Sequence, residues 1–198
     1  MRSPAYRAVY SLAEDQMGYV TTAQAGAIGV RAMTLVMMRN RGTLERVSRG
    51  VYRLVDFPVQ PLSQYMQATL WPYETPGVLS HETALSLFEL SDADPATVHI
   101  TIARDFRVQR AVPGYLTVHR AELPRDQVTR LEGMPITTPT RTIRDCFAAS
   151  VGPAVLKQAI DQARRAGTFS AAVADDLRRE VGLPVRAAKR TSRKMKTR

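Results

Sequence analysis

The chain has 198 residues, 44% of them hydrophobic, with a formal charge of +10 and one cysteine, Cys146. That length supports one large domain or two small ones with real cores, and a lone cysteine excludes an internal disulfide and any metal site built on cysteines. The charge is uneven: residues 1–60 carry a net +4, residues 61–183 a net −1 and residues 184–198 a net +7, so the two ends suit a polyanion while the middle is electrically ordinary.

In chain order, Ser3-Pro4 opens a first helix, with Ser as N-cap and Pro at the first helical position. Tyr6, Val9, Tyr10, Ala13 and Met17 recur at helical spacing up to a Gly18 cap. Thr21 with Gln24 fits a capping box for a second helix, in which Ala25 and Ile28 are expected to face inward. Gly29-Val30 makes a tight turn into a third helix, about Arg31 to Arg41, with Leu35 and Met38 inward and Gly42 as its stop. Leu44–Val47 and Val51–Leu54 alternate around Ser48-Arg49-Gly50 and predict a hairpin. Two short helices, a turn and a basic hairpin are the layout of a winged helix-turn-helix.

A linker over 56–61 follows. Leu62–Leu70 is weakly helical, residues 71–77 form a break, and a helix runs from Ser80, its expected N-cap, to Glu89. Val98–Ala103 and Tyr115–His119 are strand-like, and two shorter strands flank a Glu132-Gly133 turn. Thr138-Pro139 starts a helix with Ile143, Cys146 and Phe147 on its apolar side. Two more helices, about 153–166 and 170–181, end at Gly167 and Gly182. The fold class is α+β: a winged helix-turn-helix over 1–56, a mixed α+β domain with C-terminal helices over 62–183, and a basic tail over 184–198 expected to be disordered.

A recognition helix presents side chains to base edges, and a basic wing meets phosphates. The residues expected to contact DNA are therefore Thr22, Arg31, Thr34, Met37, Asn40 and Arg41 around the third helix, and Arg46, Arg49 and Arg53 on the wing. Arg31 and Asn40 can hydrogen-bond bases or phosphates, and Thr34 can touch a thymine methyl. Val36 and Met37 are unusual outward residues; they suit thymine methyls or a dimer contact. In the second domain Arg104, Arg107, Arg110 and Arg120 crowd one sheet edge and form a candidate polyanion or partner contact, with a merely solvated loop as the alternative.

Enzymatic chemistry has little support. The spacing of His81, His99 and His119 does not favour a zinc site; His81 is expected to cap or pack at its helix start, and the other two to be half-buried hydrogen-bonders on separate strands. Asp145 with Arg141 and Arg144 reads as a solvated helix face with an i,i+4 pair from Arg141 to Asp145, and Asp161, Asp175 and Asp176 read the same way. Cys146 is expected to be buried and inert. No glycine-rich phosphate loop is present. No catalytic residue, metal or cofactor is expected. No stretch approaches the ~18 apolar residues of a membrane helix, and MRSPAYRAVY has no apolar signal core, so a cytoplasmic protein without a membrane partner is expected.

In combination, GYVTTAQAGAIGV, the wing end RGVYRL, LSHETALSLFELSD, VHITIA, LTVHRAEL and GMPITTPTRTIRDCF resemble the AbiEi-type antitoxins of abortive-infection toxin–antitoxin pairs, over most of residues 4–183. The resemblance implies a transcriptional repressor of its own operon that binds promoter repeats through the winged helix. It also implies opposition to a cognate nucleotidyltransferase-like toxin, with or without a stable complex. Separately, a net +4 on one small domain implies weak binding by one copy, so a monomer that dimerises on DNA is expected. The chain departs from the family in its apolar third helix: Met33, Val36, Met37 and Met38. The alternative is a protein-interaction module that acts on the toxin by contact, with little DNA-binding role.

Overall fold

The computed structural model describes residues 3–107 and 110–185, so the basic tail lies outside the described residues from 186 onward. Helix α1 spans Pro4–Glu14. Ser3 Oγ accepts the Tyr6 amide at 3.2 Å, and Tyr6, Val9 and Ala13 are buried along one stripe. The chain leaves the helix through Met17 and Gly18 at φ 53° and 87°. A side chain at position 18 would meet Phe57 Cβ at 2.7 Å, so glycine is required there for space as well as for backbone.

Strand β1 (Tyr19–Thr21) was not visible in the sequence, because three residues are too few to show alternation. Helix α2 (Thr22–Ala27) starts with the expected capping box: Thr21 Oγ1 accepts the Gln24 amide at 3.1 Å and Gln24 Oε1 accepts the Thr21 amide at 2.9 Å. Ile28, expected inward, is 44% exposed. The helix ends before it, and the left-handed turn at Gly29 puts Val30 into the core instead. Helix α3 (Ala32–Asn40) lays Leu35 and Met38 inward. Strands β2 (Leu44–Ser48) and β3 (Val51–Leu54) form the wing, with a bulge between Arg46 and Ser48. The three-stranded sheet has the order β1-β3-β2, so β3 is central. Val9, Val20, Ala25, Leu35, Leu44, Tyr52 and Leu54 make the core beneath the helices.

The second unit begins with α4 (Ser63–Leu70), β4 (Val78–Leu79) and α5 (His81–Leu87). Strands β5 (Val98–Ala103), β6 (Leu116–Ala121), β7 (Val128–Leu131) and β8 (Met134–Thr137) follow, then α6 (Pro139–Ala148), α7 (Pro153–Arg165) and α8 (Ala171–Glu180). The sheet order is β6-β5-β4-β8-β7. The β5/β6 and β4/β8 pairs are parallel, and β4/β5 and β7/β8 are antiparallel.

Two cores follow from this mixed sheet. Ile100, Ile102, Leu116 and Ile136 pack with Met66 and Trp71, and that cluster also takes in Met17, Tyr19 and Val51 from the first unit. The winged unit and the second unit therefore share apolar packing across the linker. The second core joins Leu85 of α5 to Ile143 and Cys146 of α6, Leu156 and Ile160 of α7, and Leu177 of α8. Phe147, expected on this apolar side, is 47% exposed, because one residue beyond Cys146 turns about 100° away around the helix.

The expected pair from Arg141 to Asp145 on α6 is present, and Asp176 is exposed as expected, but Asp145 and Asp161 are not solvated. Arg141 Nε and Asp145 Oδ1 pair at 2.7 Å with both side chains largely buried, and Arg141 also donates to the Glu122 carbonyl at 3.0 Å. Asp161 pairs with the buried Arg178. These pairs tie α6 to the loop before β7 and α7 to α8, where the sequence suggested solvated faces. Burial raises the Asp145 pKa, and the Arg141 hydrogen bond opposes that rise.

Candidate nucleic-acid interface

Helix α3 has one buried side and one open side. Leu35 and Met38 anchor it, while Arg31, Ala32, Met33, Met37, Asn40 and Arg41 are exposed and Thr34 and Val36 are partly so. Met33 is 66% exposed, so the helix is not roofed by the second unit. Asn40 Oδ1 accepts from Arg39 Nη2 at 3.0 Å, so the remaining donor of this side chain is its amide nitrogen. Thr22 is half-buried and ties the start of α2 to the wing: its amide donates to the Gly50 carbonyl at 2.8 Å, and its hydroxyl reaches the same oxygen at 3.4 Å. Its first role is therefore to position the wing.

Arg46 and Arg49 are exposed on the wing. Arg53 is the exception to the expected set. It is 8% exposed, pairs with Glu45 Oε1 at 3.1 Å, donates to the Phe57 carbonyl at 2.5 Å and lies 6.0 Å from the centroid of the Tyr19 ring. A guanidinium held on three sides in the central strand has no face left for phosphate. Its job is to bind the wing to the chain that leaves it.

The wing turn rests on the second unit. Arg110 donates to the Arg49 carbonyl at 2.9 Å and to the Trp71 carbonyl at 2.8 Å, and its guanidinium lies 4.5 Å from the centroid of the Tyr73 ring. A cavity of about 160 Å³ opens there between Arg49, Arg107, Arg110, Tyr73 and Glu74. So Arg107 and Arg110 meet the wing arginine in one cationic notch. Burial lowers the Arg110 pKa, with the nearby Arg49 charge adding to the effect. Arg120 donates to the Phe106 carbonyl at 2.5 Å and braces the loop after β5, and Arg104 is exposed.

The three histidines, expected apart, come together. His81 heads α5, His99 lies on β5, and His119 lies on β6, where it pairs in register with Thr101. His119 Nε2 lies 3.2 Å from His99 Nδ1, and the His81 and His119 rings stack at 3.5 Å. Burial, then the neighbouring His119 and His99 charges, hold His81 down at about 3. Burial and His99 hold His119 at about 4, and burial lowers His99 against the pull of Glu82.

All three rings are neutral at pH 7. The folded state binds fewer protons than the unfolded chain, so this contribution to stability is present above about pH 6.5 and is lost as pH falls toward 3. We expect urea unfolding of the metal-free protein at pH 4 to show stability several kcal/mol below that at pH 7, the direction set by the lowered His81 and His119 values. The three imidazole proton resonances should not titrate near pH 6.5; midpoints there would contradict the packing.

These features place an exposed helix beside a basic wing in the N-terminal unit. Residues 7–55 match the family of AbiEi antitoxin transcriptional regulators. The AbiEi match runs from within α1 to just past β3, most of the winged unit, and it supports a regulator and antitoxin role. No curated protein matches the chain. Among solved structures, the chain is similar to the crystal structure of the RV2827C protein from Mycobacterium tuberculosis, at 18% identity and a TM-score of 0.48, over 92% of this chain and 73% of that one. Among the described residues, no helix is long and apolar enough to cross a membrane. Cys146 is buried, and its thiol is pushed up to about 12 by burial.

Proposed function

We propose that the protein is the antitoxin of a toxin–antitoxin pair that represses its own operon, binding promoter repeats through α3 and the wing. The observation that carries this reading is the open face of α3, with Arg31, Thr34 and Asn40, inside the segment that matches the AbiEi regulators. Arg46 and Arg49 supply the sequence-independent grip on phosphate, the exposed Arg107 extends it past the wing turn, and Arg110, held by the Arg49 and Trp71 carbonyls and the Tyr73 ring, braces that turn. In this reading the second unit opposes a nucleotidyltransferase-like toxin, and two copies on adjacent repeats supply the affinity that one basic wing lacks.

A second reading, contact with a protein, draws on Met33 and Met37, which lie one turn apart and are exposed. Flexible apolar side chains there suit a protein surface as well as thymine methyls. A reporter fused to the DNA upstream of this reading frame separates the two. The antitoxin–repressor reading expects repression by the wild type and its loss in Arg46→Ala/Arg49→Ala, with growth rescue when the chain is co-expressed with a nucleotidyltransferase-like toxin encoded in the same operon. Rescue without repression would favour the contact reading, and neither effect would refute both.

A further inference from the structure

We infer that His81, His99 and His119 form a binding site for one divalent transition-metal ion, with zinc as the preferred ion. The chain has three histidines in 198 residues, and all three lie in this one place, with one ring nitrogen of each within 4.8 Å of the others. They come from three separate elements: the start of α5, strand β5 and its neighbour β6 at the sheet edge.

The spacing suits coordination. Two imidazole nitrogens on one tetrahedral zinc, each at about 2.0–2.1 Å, stand roughly 3.3 Å apart, with ring centres about 5 Å apart. His119 Nε2 and His99 Nδ1 stand 3.2 Å apart, with ring centroids at 5.2 Å. The His81 ring is the one that must move. It stacks on His119 at 3.5 Å, so it must slide roughly 3.5 Å across the stack to bring the two ring centres to about 5 Å.

The surroundings of His81 fit a ligand. Its Nδ1 lies 2.9 Å from Ser80 Oγ, which in turn accepts from Thr101 Oγ1 at 2.8 Å. A hydrogen bond to one ring nitrogen orients the ring and leaves the other, Nε2, for the ion. This also explains why Ser80 heads α5 without capping it: its hydroxyl is engaged with His81 and Thr101. His81 is buried and holds φ 53°, a strained backbone for a residue with a side chain. An all-imidazole set favours zinc and its neighbours over magnesium or calcium, which take oxygen. Three protein ligands leave a fourth position for water.

The test uses the full chain, free of any affinity tag, after treatment with a chelator. Zinc titration by calorimetry should show one ion per chain, and cobalt should give the visible bands of a four-coordinate site with no thiolate charge-transfer band. His99→Gln and His119→Gln, each shown by circular dichroism to be folded, should weaken zinc binding at least 100-fold. A readout that needs no variant is carbethoxylation of histidine by diethylpyrocarbonate, which zinc should suppress. No saturable uptake, affinity unchanged in both variants, or modification equal with and without zinc would each overturn the site.

Discussion

Leu35→Ala should lower the stability of the protein by about 3 kcal/mol, read as a shift in the urea midpoint at unchanged slope. Leu35 is fully buried beneath α3 and packs among Val20, Ala25, Leu44 and Leu54. Truncation removes its buried surface and leaves a cavity that the β2–β3 sheet can only partly close. Met37→Ala, two residues on, should change stability by no more than about 0.5 kcal/mol, because 47% of that side chain is already in water. The pair separates the helix as a packed element from the helix as a reading surface. Leu35→Ala should weaken DNA binding only where it unfolds the winged unit, whereas Met37→Ala should alter binding in a fully folded protein. Equal stability losses in the two variants would contradict the orientation of α3.

Arg46→Ala/Arg49→Ala should weaken binding to every duplex by tenfold or more at physiological salt. It should also reduce the slope of log affinity against log salt by about 2, since each lost phosphate contact removes about 0.9 from the slope. Both arginines are exposed on the wing, so the fold should be little affected. Arg53→Ala should behave in the opposite way. Its guanidinium is buried between Glu45, the Phe57 carbonyl and Tyr19. Its loss leaves the partly buried Phe57 carbonyl without this donor and should cost stability before it costs phosphate contacts. A salt slope that falls for Arg53→Ala and not for the double variant would reverse the assignment of the wing.

Local signals were the most legible part of this chain. Ser3-Pro4, the Thr21/Gln24 box, Thr138-Pro139, Gly167 and Gly182 each mark a helix end at its place, because caps and left-handed turns depend on neighbours within a few residues. What the sequence hid depends on partners far along the chain. Strands β1 and β4 have three and two residues, too short for a period. Arg53 alternates as an outward wing residue should, but β3 lies between two strands and all four of its residues are buried. The histidines gave no spacing signal, because the parallel register that sets His119 beside Thr101 is made by strands joined through a long crossover. The one available clue was compositional: three histidines, each on a different ordered element.

The most direct test of the account is a hydroxyl-radical footprint of the full chain on the DNA upstream of its own reading frame. The account predicts protection over repeated half-sites, with Asn40→Ala shifting which bases are preferred and Arg46→Ala/Arg49→Ala removing protection everywhere. Protection that is absent in the wild type, or unchanged in both variants, would contradict the role given to α3 and the wing.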